Sequence, residues 1–265
     1  RTDPSSGLSK GGQTTGSNEY DEDKYRDGSE EVNEPLEGYF PPKVHNKSTI
    51  EGREKWLFFA LENSLEDYLG NNILSEEELK TYLDGMEELE RICQEKGKKL
   101  YFFLPPNKEQ VYAEFMPTYK TADTYKRVQR LVDYVHANSD IKIIYPIEEL
   151  KAAKEKWQLY FKTDTHWNDA GAFIGTQALY ALMEVPVTDL SELTAEERAF
   201  ESGDLVRVGN LNGKDYEGDI SYMIYYKLYV DVTFEEGEHF SSDICSTVST
   251  AENQSSIVVV GDSFR

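Results

Sequence analysis

The chain has little cysteine, a shortage of positive charge and no long apolar run. Two cysteines in 265 residues are too few for a disulfide scaffold or a structural zinc site. Cys93 falls on the apolar side of a predicted helix and Cys245 in a polar stretch, so both are expected as unpaired thiols. Lysine and arginine number 28 against 50 acids, a formal net charge of −22. That balance argues against nucleic acid and anionic membrane as partners, because phosphate binding needs a basic face. No stretch is long and apolar enough to span a bilayer, and no signal peptide is recognisable. The chain starts with Arg1 rather than Met, so it is expected to be a portion of a longer protein, any membrane anchor lying outside it.

Apolar residues make up 38%, low for a fully globular chain. The shortfall is concentrated in residues 1–50, rich in Gly, Ser, Thr, Asn and acids and without apolar periodicity. Such a composition cannot bury enough surface to offset chain entropy, and a disordered acidic linker is predicted there. Residues 51–265 are expected to form one domain, beginning with the apolar segment Trp56-Leu57-Phe58-Phe59.

Within that domain strands and helices alternate. Ser75 with Glu78 forms a capping box, Leu79, Leu83 and Met86 follow at helical spacing, and Gly97 supplies a stop. Lys99–Leu104, ended by Pro105-Pro106, and Ile141–Tyr145, ended by Pro146, read as buried strands. Tyr125, Val128, Leu131, Val132 and Val135 mark a helix between them, and Ile147–Trp157 a short one after them. Asn168 or Asp169 caps a further helix. The pattern predicts an α/β fold, an open and mostly parallel sheet with helices on both faces. A β-rich insertion over about 186–256 precedes a last strand, Ile257–Val260.

Two places carry chemistry. In Lys162–Gly171 a carboxylate, Asp164, stands two residues before an imidazole, His166. In an extended segment they would share one side of the backbone, and Asp164 could orient His166 as a base. The second place is Gly261-Asp262-Ser263, where a strand would exit into a tight turn that lifts the Ser263 hydroxyl clear of the sheet edge. A serine needs a base to become a nucleophile, and among the four histidines His166 has the best context. His45 lies in the expected linker, His136 beside the apolar face of a helix and His239 in the insertion. A metal site from Asp164, His166 and His239 has no ligand-spacing motif behind it, and no metal is expected. Asn107, Lys108 and Tyr112 follow a strand end and are candidates to line the cleft, as is Trp167; a solvated loop is the plainer reading of the first three.

Thr163-Asp164-Thr165-His166-Trp167, the Gly171-Ala172 helix and the late Gly261-Asp262-Ser263-Phe264 resemble the alginate O-acetyltransferase-like branch of the SGNH hydrolases. They are also similar to the bacterial proteins named for an Asp-His-His-Trp motif. Trp56-Leu57-Phe58 and Phe103–Lys108 add to the likeness, which covers about residues 52–265. The resemblance implies Ser263 as acyl-accepting nucleophile, His166 as base and Asp164 as its partner. It further implies an extracytoplasmic, cofactor-free enzyme that acetylates hydroxyls of a secreted or cell-wall polysaccharide, with acetyl groups supplied by a membrane-bound acyltransferase. A carbohydrate acetylesterase with the same triad is the near alternative. A non-catalytic glycan-binding or assembly protein on the same fold is the distant one, since 18 tyrosines and three tryptophans suit sugar stacking as well as core packing. Thr165 stands where the Asp-His-His-Trp relatives carry a second His. The chain also stops two residues after Ser263, so a C-terminal part with oxyanion-hole donors is expected to be missing and this chain to be inactive as it stands.

Overall fold

Asn46 and Lys47 both hold positive φ, 47° and 56°, and the Ser48 amide donates back to the His45 carbonyl at 3.0 Å. Two such residues make the tight turn whose twist matches paired strands, and β1 (Lys43–His45) and β2 (Thr49–Glu51) accordingly pair antiparallel. β3 (Leu57–Phe59) joins the other edge of β2. The computed structural model describes residues 38–121, 126–187, 193–225, 232–236, 245–250 and 256–261. The expected linker thus lies outside the described residues up to position 37, and its C-terminal end is a strand pair. Val44 and Ile50 supply the apolar contacts that order it.

After α1 (Ser64–Leu69), α2 (Glu76–Glu95) starts at the predicted capping box. The Glu78 amide donates to Ser75 Oγ, and Glu78 Oε2 accepts from the Ser75 amide at 2.8 Å. It ends at Gly97, whose φ of +65° lets the chain reverse while the Lys98 amide reaches the Cys93 carbonyl. β4 (Phe102–Phe103) and β5 (Ile143–Ile144) pair in parallel across α4 (Arg127–Asn138), with the short α3 (Lys108–Val111) just after β4. Side chains alternate across this pair. Phe102 joins the cluster of Leu79, Leu83 and Met86 from α2 with Leu131, Val132 and Val135 from α4. Phe103 faces the opposite cluster and packs on Trp167. α5 (Ile147–Ala153) and α6 (Asp169–Leu182) complete that second side.

The expected mostly parallel sheet is not what forms among the described residues. One parallel pair is present, and the other three sheets are antiparallel. β6 (Thr194–Phe200) pairs with β7 (Asp219–Tyr225), and β8 (Val232–Glu236) with β9 (Cys245–Ser249). Part of the stretch expected as a β-rich insertion, 186–256, packs onto the rest of the domain. α7 (Asp204–Val208) buries Leu205 and Val206 against Leu57 and Tyr216, while Thr49 Oγ1 donates to the Leu205 carbonyl. A few apolar side chains suffice to seat this stretch on the β1–β3 sheet.

Ile257–Val260 is likewise not a strand. Residues 256–261 have no regular secondary structure, and Val258 and Val260 are 85% and 93% exposed. An apolar run favours burial, but only a neighbouring strand supplies the ladder that makes it β. β4 and β5 bond to each other and, among the described residues, to no strand from this run.

Candidate active site

The Asp164–His166 segment is not extended. Tyr160 and Trp167 form an antiparallel bridge that closes a loop of consecutive bends, 162–166. Asp164 shapes the loop itself: its Oδ1 accepts the His166 amide at 3.0 Å, the local turn that short acids favour. The same oxygen lies 2.6 Å from His166 Nδ1. The backbone turn therefore brings carboxylate and ring together where shared strand sidedness had been expected to. Asn168 then caps α6, accepting from the amides of Ala170 and Gly171.

Electrostatics follow from these contacts. Burial pushes the Asp164 carboxyl up, but hydrogen bonds from the His166 ring, the Asp204 amide and the His166 amide outweigh it and hold the pKa at about 2. An ionised carboxylate only accepts, so Nδ1 is the protonated nitrogen and, in the neutral ring, Nε2 is the acceptor.

Two further acids, unremarked in the sequence, hold this loop. The Asp204 amide donates to Asp164 Oδ2 at 2.8 Å, and the Asp204 carboxylate accepts from the Thr165 amide and hydroxyl at 2.8 and 2.7 Å. Asp219, 1% exposed, accepts from the amides of Lys162 and Thr163 and from the Thr163 hydroxyl. Both acids come from the stretch expected as an insertion, 40 and 56 positions from their partners. Their only local signal is a preceding glycine, Gly203 or Gly218.

The other candidates fall in different places. Trp167 is buried between Phe103 and Tyr160 as a core residue. Tyr112 is buried too, its hydroxyl accepting from the Leu159 amide. Lys108, expected at a cleft, is 2% exposed. Asn107 is half-buried and lines a small recess with Asp67, Lys126, Arg127 and Tyr145. Ser263 and His239 lie outside the described residues. His45 Nε2 is 2.6 Å from Glu51 Oε2, and His136 Nε2 is 3.2 Å from the Ile143 carbonyl. Donor atoms of Asp164, His166 and Asp204 lie within 4.8 Å of one another. A cation bound there would have to displace the proton between two atoms 2.6 Å apart, and the residues fit a hydrogen-bonded network better than a metal centre.

Residues 49–265 match the family model described as SGNH hydrolase-like domain, acetyltransferase AlgX. The chain is 27% identical over 175 residues to a probable alginate O-acetylase AlgJ of Pseudomonas putida, covering 65% of this chain and 40% of that protein. With a probable AlgJ of Pseudomonas syringae pv. tomato it shares 26% over 132 residues, 50% and 32% of the two chains. It thus spans less than half the length of either relative. Among solved structures, the O-acetyltransferase domain of Pseudomonas putida AlgJ superposes with a TM-score of 0.46 at 18% identity, over 67% of this chain and 64% of that one. A DHHW family protein from Eubacterium siraeum gives 0.49 at 14% identity, over 73% and 58%. Because the family match takes in the entire Asp164–His166 loop and both segments that grip it, the chain belongs to the SGNH hydrolase-like, AlgX-type acetyltransferase domain family.

Proposed function

We propose that this domain serves a serine-dependent O-acetyltransferase that modifies hydroxyls of a secreted or cell-wall polysaccharide outside the cytoplasm. The observation that carries the reading is the 2.6 Å contact of Asp164 Oδ1 with His166 Nδ1 in a chain of this family. Ser263 Oγ attacks the carbonyl of an acetyl ester while His166 Nε2 takes its proton, and the imidazolium returns that proton to the departing alkoxide. A sugar hydroxyl then attacks the acetyl-enzyme, His166 accepting its proton and passing it to Ser263 Oγ as the acyl bond breaks. Asp164 keeps the ring in the productive tautomer and stabilises its charged form. A membrane-bound acyltransferase is the proposed source of acetyl groups.

The test incubates the full-length protein with an acetyl ester and an oligosaccharide and looks for acetylated sugar by mass spectrometry. Transfer that disappears in Ser263→Ala supports the reading. Free acetate without acetylated sugar turns it into an esterase, and wild-type turnover in Ser263→Ala refutes the assigned nucleophile. Glycan affinity with no turnover in either protein would make it a binding module.

A further inference from the structure

Lys108 opens α3 and is buried, yet its ammonium is fully engaged. Nζ donates to the carbonyls of Phe161, Lys162 and Asp164 at 3.0, 3.2 and 2.7 Å. An ammonium has three N–H bonds, and three carbonyls meet them. The rings of Phe58 and Trp56 lie 5.2 and 5.8 Å from Nζ, close enough for cation–π attraction. All three carbonyls belong to residues 161–164, which lead into the bent loop and carry Asp164 of the dyad. A loop of bends cannot satisfy its own carbonyls as a helix or ladder would, and leaving them buried without donors is costly.

The loop amides are taken up from another direction. Asp219 accepts those of Lys162 and Thr163, and Asp204 that of Thr165. Carboxylates thus hold these N–H groups, and Lys108 takes the C=O groups of Phe161, Lys162 and Asp164, the Leu57 amide also donating to the Lys162 carbonyl at 2.8 Å and the Leu205 amide to the Thr163 carbonyl at 3.1 Å. The Asp164 carbonyl accepts the shortest of the Lys108 bonds, while the Asp164 carboxylate orients His166.

We propose that Lys108 is a positioning residue: its buried ammonium fixes the Phe161–Asp164 backbone and thereby sets the aim of Asp164 and His166. Its consequence for turnover rests on the acetyl-transfer reading; its consequence for the His166 ring does not. The role differs from contact with substrate, because the three N–H bonds are directed at protein carbonyls.

Lys108→Met keeps the stem and removes charge and donors. The experiment compares full-length wild type and variant by NMR of 15N-labelled histidine, with His166→Gln identifying the His166 signals, and by steady-state acetyl transfer. The expected result is loss of the single Nδ1–H tautomer of His166, with kcat down by about 100-fold, as for a misplacement of about 1 Å, and the donor KM within about twofold. An unchanged His166 spectrum overturns the proposal whatever the kinetics. A raised KM at unchanged kcat overturns it too, since that marks a substrate contact. Wild-type turnover in Ser263→Ala would sink the acetyl-transfer reading alone and leave the His166 spectrum to decide this one. Should Lys108→Met not fold, Lys108→Gln, whose amide keeps two donors, carries the same comparison.

Discussion

The Asp204 amide reaches back 40 positions to Asp164 Oδ2 at 2.8 Å, while the Asp204 carboxylate grips the residue after Asp164. The two acids clasp each other's segments, each through a carboxylate that accepts a backbone N–H. One carboxylate thereby collects three directed donors: its own turn, the imidazole and the start of α7. Burial alone would favour its neutral form, and these donors reverse that.

Asp164→Asn keeps the size and removes the charge. An amide whose Oδ1 keeps both His166 contacts sets its NH2 against the Asp204 amide, donor against donor; flipping it relieves that clash but turns the NH2 toward Nδ1, so the wrong tautomer is favoured. The expected loss in kcat is roughly a thousand- to ten-thousandfold with KM little changed, read by acetyl-transfer kinetics.

The same carboxylate makes stability depend on pH. Its folded pKa of about 2 lies below the ordinary 3.8. Its contribution is therefore present above the ordinary value and lost as pH falls toward 2. Urea midpoints of wild type should drop across that window by an amount worth about 1–2 kcal/mol relative to Asp164→Asn. Parallel curves for the two proteins would remove Asp164 as the cause.

Gly203 is a steric test of the clasp. Its φ of −97° is open to any residue, so only space matters. A Cβ there would lie 2.4 Å from both Asp164 Cβ and the Thr163 carbonyl oxygen. Gly203→Ala must push α7 off the loop, at a stability cost of about 1–3 kcal/mol in urea unfolding. The His166 tautomer signal should broaden or split in a variant that remains folded.

Some of this architecture could be read in advance and some could not. The Ser75 capping box and the Asn168 cap involve partners within three residues, so local sequence carries them. The Asp164–His166 pairing is local as well, since a two-residue turn makes it. Asp204, Asp219 and the true surroundings of Lys108 depend on partners 39 to 61 positions away. Nothing in the residue types nearby announces them. Ile257–Val260 shows the converse: its composition favours a buried strand, but composition cannot supply a ladder partner. Trp167 looked like a substrate-facing aromatic because it follows His166, and the bridge to Tyr160 turns it into the core instead.

Asp219 offers a stability test separate from catalysis. Its Oδ1 accepts from the Lys162 amide and Gln158 Nε2, and its Oδ2 from the Thr163 amide and hydroxyl. Asn would turn an NH2 toward donors, leaving buried N–H groups without acceptors. Asp219→Asn should therefore lose about 2–4 kcal/mol by urea denaturation. A loss below about 0.5 kcal/mol would mean the loop does not depend on this carboxylate.

Lys108 predicts opposite pH trends for activity and stability. Burial pushes its ammonium down to about 8, against the pull of Asp219, Asp164, Glu109 and Asp204. Between that value and the ordinary 10.5 the unfolded chain keeps a proton that the folded chain has released. The unfolded state then binds more protons, so this group makes stability rise with pH over the window. Activity should go the other way. A neutral amine has two N–H bonds and a lone pair facing three carbonyls, and its hold on the loop weakens. Wild-type kcat should fall as pH climbs past about 8 while the urea midpoint gains the Lys108 contribution, and Lys108→Met should lack both changes. Measuring the two quantities side by side separates this local event from alkaline unfolding, in which they decline together. An alkaline limb that persists in Lys108→Met would assign the loss of activity to another group.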